Sequence, residues 1–435
     1  MTKLNQKLNK IRIITMVIFS VVFYSCEKTE NKTEDKVVVF APELRTESLR
    51  KGNGLVPLDV AFDIAEKFNP KIFFDQTNKT NYSKKVSTLD GHNKVKNHTI
   101  IKDSNEEPAF YIFNYENDKG FIFVSADYKM QPILAFFEDG EFKKDIVPGG
   151  LLMWVDKTIE NIEILKAGKY DNSKDANFAW NNYYSHNLGR YNEEQENPCL
   201  GHGSSSVAGP LLNVTWGQGP TYNELCPNLS CTNSNSFAYT GCVATATAQV
   251  VRYWRPNNQF NYNYTNMSST QGNLEVRRLM RDIGTKVNMN YGCQGSSASG
   301  ASVALVLMQH FGLTYATNSD YNYMTVQNNV NTLKPVLMTG CTTSSGNWFI
   351  INWGNSYTEC HQWVCDGSSS YSSVICENEQ VIGHANYSYF HMNWGWNEVG
   401  TNNNYNGWFS INNWNINGNN LNFKYCNKLT HEIRL

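Results

Sequence analysis

Apolar residues follow two different patterns along the chain. Between about residues 40 and 170 they switch from helical to strand spacing and back. Pro57-Leu58-Asp59 opens a segment in which Ala61, Ile64, Ala65 and Phe68 share one helical face, with an acid in the first turn. The stretch AFYIFNYENDKGFIFVSAD, residues 109–127, is two aromatic-rich runs around Asn117-Asp118-Lys119-Gly120 and predicts a β-hairpin. A third strand is expected from Ile133 to Phe137, turning at Glu138-Asp139-Gly140. A second helix is expected where Leu152, Val155, Ile159 and Ile162 recur at helical spacing. This region reads as a small α/β unit without a cluster of potential catalytic residues.

Residues 168–208 are polar and rich in Asn, Ser and Gly, with weak periodicity, which predicts a linker and a site for proteolytic nicking. Beyond it the pattern changes. A run of good helix formers follows Cys242, a second helix is expected over Ala298 to Phe311, and short aromatic strands separated by Asn, Gly and Ser fill the rest. Helices first and strands later predict an α+β arrangement.

The N-terminus reads as an address. Lys3, Lys7, Lys10 and Arg12 precede a twelve-residue apolar run, Ile13 to Tyr24, too short to span a membrane and typical of a signal peptide. The run ends at Ser25-Cys26, which resembles a bacterial lipoprotein processing site, so a lipid anchor on Cys26 is expected, with plain secretion or an uncleaved anchor as alternatives. With 37 basic against 39 acidic residues, no basic field for nucleic acid is implied. Export gives meaning to the 11 cysteines, because outside the cell most should pair. Cys226 and Cys231 are near enough in sequence to bridge; a zinc site is the competing use, although no repeated Cys-x-x-Cys supports it.

One cysteine stands apart. In TGCVATATAQVVRYW, residues 240–254, Gly241 frees a turn and Cys242 would sit in the first turn of a helix, where the dipole favours a thiolate. The pattern alone fits a buried or bridged thiol as well as a nucleophile. A nucleophile also needs an imidazole to move its proton and a third group to orient that imidazole. Of nine histidines, His92, His98, His186 and His202 lie in the first region or linker, His310 ends an apolar helix and His431 is terminal. His361, in ECHQWVCDG, is expected on a buried strand that runs to an Asp366-Gly367 turn. His384 follows a glycine in loop-like sequence, and His391 alternates with Asn393.

The segments WGQGPTYNELCP, GCVATATAQVVRYW, MNYGCQGSSASG, KPVLMTGC, HQWVCDG and YFHMNWGWN with a later NGWF resemble, in order and distance, the streptopain family of papain-like bacterial cysteine peptidases. YIFNYENDKGFIFVSADYKMQPILAFFEDGEF resembles that family's propeptide. The resemblance implies a papain-like, two-lobed catalytic domain, with a helical lobe built on a central nucleophile helix and a β-rich lobe, behind a small α/β propeptide. It implies Cys242 as nucleophile, His361 as general acid/base, Asn393 as the residue orienting it, Trp394 as the aromatic shielding that pair, and Gln218 as oxyanion-hole donor. It further implies protein or peptide substrates, the propeptide as intramolecular inhibitor, and no metal or organic cofactor.

The expected organisation is a signal peptide at 1–25, a charged tether at 26–45, propeptide and linker at 46–205, and the catalytic domain at 206–435. The chain departs from the family around the base. Cys360 and Gln362 replace small residues beside His361, and the 32 residues from His361 to Asn393 imply an inserted hairpin around Ser368 to His384. Because His384 carries the literal Gly-His-Ala, it is the alternative base. Two other functions remain at this stage: a surface binding module disabled by those altered flanks, and a Cys-His transamidase.

Overall fold

The computed structural model describes residues 54–70, 89, 92–144, 147–168, 176, 179–180, 204–232, 234–341, 360–377, 380–397, 404–411, 415–416, 419–420 and 428–435. The expected signal peptide and tether at 1–45, together with Cys26, Cys199, Cys426 and most of the linker, lie outside these residues.

Helix α1 (Leu58–Lys67) begins after Pro57, whose backbone is extended, and buries the expected Ala61, Ile64 and Ala65 together with Val60; Phe68, just past its end, is buried as expected. It is followed by β1 (Val95–Lys102), β2 (Pro108–Tyr115), β3 (Phe121–Ser125) and β4 (Ile133–Phe137), an antiparallel meander. The turn between β2 and β3 works because Asn117 and Asp118 take positive φ, which Asn and Asp tolerate better than most residues. Helix α2 (Gly149–Lys166) comes next. Side chains on β2 to β4 alternate between two cores. Phe110, Ile112, Phe121, Phe123 and Phe137 meet α2, whereas Tyr111, Phe113, Ile122, Val124 and Phe136 meet α1. Burial on both faces explains why these strands read as continuous apolar runs.

Part of the predicted linker is a strand, β5 (Ser204–Ala208), because a neighbouring strand edge is available to pair with it. The small pair β6 (Asn228–Cys231) and β7 (Ser236–Phe237) leads to α3 (Cys242–Trp254), then α4 (Leu274–Lys286). The helix expected over Ala298 to Phe311 is shorter, with a 3-10 turn at Gly300–Ser302 before α5 (Val303–His310). Then come β8 (Tyr315–Asp320), α6 (Tyr323–Asn331), β9 (Val336–Cys341), β10 (Cys360–Glu377), β11 (Gln380–Asn393), β12 (Gly407–Ser410), a small pair β13 (Asn415–Ile416) and β14 (Asn419–Asn420), and β15 (Lys428–Arg434). The order is α+β.

The main sheet crosses from the first region into the second, in the order β1-β2-β3-β4-β12-β11-β10-β9-β15-β8, with β5 added against β10. The junction is β4 with β12, where Phe136 opposes Trp408 and Ala135 opposes Phe409. One face of the second half, carrying Trp363, Met392, Trp394 and Phe409, packs in the same core as α2. The opposite face, carrying Leu337 and Val364, packs with α3, α4 and α5.

The long β10–β11 hairpin is the insertion that the sequence implied around Ser368 to His384. The Asp366-Gly367 turn expected after the base does not form. The strand runs through it with a register shift, and Asp366 is buried, its carboxylate accepting from His391 Nδ1 at 2.6 Å and from the Leu212 N–H at 3.0 Å. Two such partners hold an aspartate inside a sheet where a solvated Asp-Gly would turn.

Candidate active site

Cys242 is the first residue of α3, and the preceding Gly241 has φ of 87°. A Cβ there would meet Met289 Sδ at 2.8 Å and the Ser296 carbonyl at 2.9 Å, so only glycine allows this entry into the helix. Small residues do the rest: Ala244, Thr245, Ala246, Thr247 and Ala248 are all buried, which lets α3 lie in the centre of the helical lobe. The helix stops at Arg255, in the left-handed region.

Cys242 is a free, half-buried thiol; Cys226 and Cys365 are the other free cysteines among the described residues. Bridges join Cys231 to Cys293 and Cys341 to Cys360. The Cys226–Cys231 bridge considered from sequence is therefore not formed, since Cys231 reaches across to a residue 62 positions away. Among the described residues no cluster of His, Cys, Asp and Glu could hold a metal ion.

His361 lies beside the Cys242 thiol, close enough for each group to shift the titration of the other. Its Nε2 lies 3.1 Å from the backbone carbonyl of Trp394. A carbonyl only accepts, so Nε2 carries a proton, and Nδ1 is the nitrogen left for Cys242. Burial pushes the thiol up, but the charge and hydrogen bond of His361 and the N–H groups of Gln362 and Val243 outweigh it, and the thiol falls below its ordinary value. Burial likewise pushes His361 down, yet the charge and hydrogen bond of Cys242 and the Trp394 carbonyl raise it above the usual imidazole value. The pair thus favours thiolate and imidazolium.

Asn393 sits on β11 directly opposite Val364, but its amide is committed elsewhere. Its Nδ2 donates to the Val214 carbonyl at 2.8 Å and its Oδ1 accepts from the Gly395 N–H at 3.2 Å. The hydrogen bond expected between His361 and Asn393 is replaced by the one to the Trp394 carbonyl; Asn393 instead pins the chain on either side of that carbonyl. The Trp394 ring is fully buried, 5.2 Å from Trp363 and 5.3 Å from Phe409 between ring centroids.

Gln218 is half-buried. Its carbonyl accepts from the Thr240 N–H at 3.0 Å, which ties it to the turn before Cys242, and its Nε2 lies 3.5 Å from the Gly395 carbonyl. His384 is remote. It opposes Val374 on β10, thirteen residues beyond His361, which at ~3.3 Å per residue is on the order of 40 Å along the strand. His391 serves the Asp366 pair instead.

One contact comes from outside the expected set. Gly150, in the first turn of α2, lies against both rings: a Cβ there would fall 2.3 Å from Trp394 Cε3 and 2.8 Å from His361 Cδ2. Gly149-Gly150 before an apolar helix was the available signal, but nothing local in the sequence says what packs on it.

Comparison with known proteins agrees along both regions. The model of the Spi protease inhibitor family matches residues 55–162, and that of the peptidase C10 family matches residues 216–277 and 257–409. The thiol protease/hemagglutinin PrtT of Porphyromonas gingivalis is 24% identical over 384 residues, 76% of this chain and 38% of that protein, so this chain spans well under half of its length. Streptopain of Streptococcus pyogenes is 22% identical over 348 residues, 66% of this chain and 71% of the relative. A solved fragment of Prevotella intermedia prointerpain A, 20% identical, superimposes with a TM-score of 0.48 over 78% of this chain and 98% of the fragment. An inhibitor-type region is thus followed by a peptidase region, residues 216–409, that matches the streptopain family of cysteine peptidases, peptidase family C10.

Proposed function

We propose that the protein is an exported cysteine endopeptidase made as a zymogen, in which Cys242 attacks a peptide carbonyl and His361 moves the proton. The observation that carries this reading is the free Cys242 at the start of α3, beside an imidazole whose Nε2 is fixed by the Trp394 carbonyl. The thiolate adds to the carbonyl carbon, and the oxyanion is met by the Cys242 N–H and the Gln218 amide. Imidazolium Nδ1 then protonates the leaving amine, giving an acyl-enzyme; water, deprotonated by the same nitrogen, releases the acid and restores the thiol. The Trp394 carbonyl keeps Nε2 protonated throughout, and Asn393 acts through that carbonyl by holding Val214 and Gly395. A buried tryptophan around it excludes water and strengthens the bond.

Residues 46–205 would supply the inhibitor, with α2 seated on His361 and Trp394. Gly150→Val should loosen that seat by about 1–3 kcal/mol, the usual cost of overpacking. The full-length variant should release peptides from casein after a shorter lag than the parent, while the two mature enzymes, lacking residue 150, should match. An unchanged lag would contradict the seat. For the export half of the proposal, incorporation of a labelled fatty acid that is lost in Cys26→Ser is the expected result; label retained in that variant excludes the anchor.

Casein incubated with the activated protein and a fluorescent primary amine separates the remaining readings. New peptide N-termini without amine incorporation support the peptidase; incorporation would establish the transamidase, and neither product would establish the binding module.

A further inference from the structure

His361 occupies the second position of β10, which pairs with β9. The first three rungs of that pairing are Cys360 opposite Cys341, His361 opposite Gly340, and Gln362 opposite Thr339. The first rung is a disulfide. The second carries the histidine that lies beside Cys242, and the third brings the Gln362 backbone, whose N–H favours the thiolate of the same residue. Backbone rungs open locally even in a folded protein, and the disulfide stands one rung before the histidine. A base on such a rung would lose its geometry with each local opening, and a displacement of about 1 Å costs on the order of 100-fold in rate.

We propose that the Cys341–Cys360 disulfide is a positioning element for the catalytic pair, tying β9 to β10 one residue before His361 so that the imidazole stays on Cys242. The inference rests on reading Cys242 and His361 as the dyad. It gives the enzyme opposite redox requirements at neighbouring sites: Cys242 must be reduced, and Cys341 with Cys360 must be oxidised. Cys360 is exposed and Cys341 half-buried, so a dithiol can reach the bridge. Its thiolate attacks one sulfur, its second thiol closes the cyclic disulfide, and two protein thiols are released. The other described bridge has a buried partner, Cys231, and lies in the helical lobe.

The test follows iodoacetamide alkylation of Cys242 across pH in the full-length chain, resolved by peptide mass spectrometry. In the parent the reaction should begin below the range of a free thiol. In Cys341→Ser/Cys360→Ser the onset should move upward toward that range, with the rate at neutral pH lowered about tenfold, whereas Cys231→Ser/Cys293→Ser should keep the parent onset. Mere loss of stability lowers a melting temperature without moving this onset. A parent-like onset in Cys341→Ser/Cys360→Ser overturns the inference. The dyad fails separately, if the parent itself begins at the free-thiol value and His361→Ala changes nothing. Should the double variant not fold, graded dithiothreitol on the parent gives the same answer. Cys242 reactivity should fall in step with opening of Cys341–Cys360, and full reactivity with the bridge open overturns the proposal.

Discussion

Cys242→Ala should lower kcat/KM on a peptide substrate by about 10⁶-fold, the scale seen when a covalent nucleophile is removed from a triad-type enzyme. Neither of the other free thiols among the described residues can substitute. Cys226 is buried, and burial drives its thiol up to about 12; Cys365 is buried too, with burial and the adjacent Asp366 charge raising it well above the ordinary thiol value. Both stay protonated at neutral pH. The residual rate is what the oxyanion donors and substrate binding supply without a nucleophile. Because the substitution removes one sulfur at the head of α3, its effect on stability should be small, and the melting temperature checks that the lost rate is chemical. A loss below tenfold, with the fold intact, would remove Cys242 from the mechanism.

The second large effect is on His361. His361→Ala should cost about 10⁴-fold in kcat/KM, the upper range for a positioned general acid/base, whereas His384→Ala should leave it unchanged. The pH dependence follows from the same pair. Cys242 is depressed and His361 raised, so the reactive thiolate–imidazolium form spans the interval between two macroscopic pKa values that belong to the pair jointly. Activity should rise with pH through the lower value, as the pair loses its first proton, and fall through the upper one, when the imidazolium can no longer protonate the amine. The stability that the pair contributes has the same window. The depressed thiol's share is lost as pH falls through its folded value, and the raised histidine's share is lost as pH rises through its own. In His361→Ala the onset of Cys242 alkylation should shift upward toward that of a free thiol. A flat profile in the parent would show that the two groups do not titrate together.

Much of this was legible in the sequence, for identifiable reasons. The elements of the first region could be read because α1, α2 and β2 to β4 carry strong local periodicity, and Ile133 to Phe137 is observed with those bounds. Cys242 at a helix start followed from Gly241 and the small residues after it. What failed was decided by partners distant in the chain. Asp366 reads as a turn former until His391 and Leu212 are placed beside it. Asn393 reads as the group orienting His361 because its position fits, yet Val214 and Gly395 claim both ends of its amide. The carbonyl that bonds His361 is backbone and leaves no mark on residue type. Gly150 over His361 and the continuation of β4 into β12 depend on how two regions of different pattern meet, which periodicity within either one does not encode. The pairing of Cys231 with Cys293 belongs with these, since cysteine spacing does not determine connectivity.

The central claim, that Cys242 is an activated peptidase nucleophile served by His361, is tested most directly by covalent labelling with an epoxysuccinyl peptide inhibitor. The protein would be mildly reduced and freed of the residues before about 205, then digested and sequenced by mass spectrometry. One adduct per molecule is expected, on Cys242, formed much more slowly in His361→Ala and at the parent rate in His384→Ala. Absence of an adduct on Cys242 in the folded, processed protein, or an adduct forming at the parent rate in His361→Ala, would contradict it.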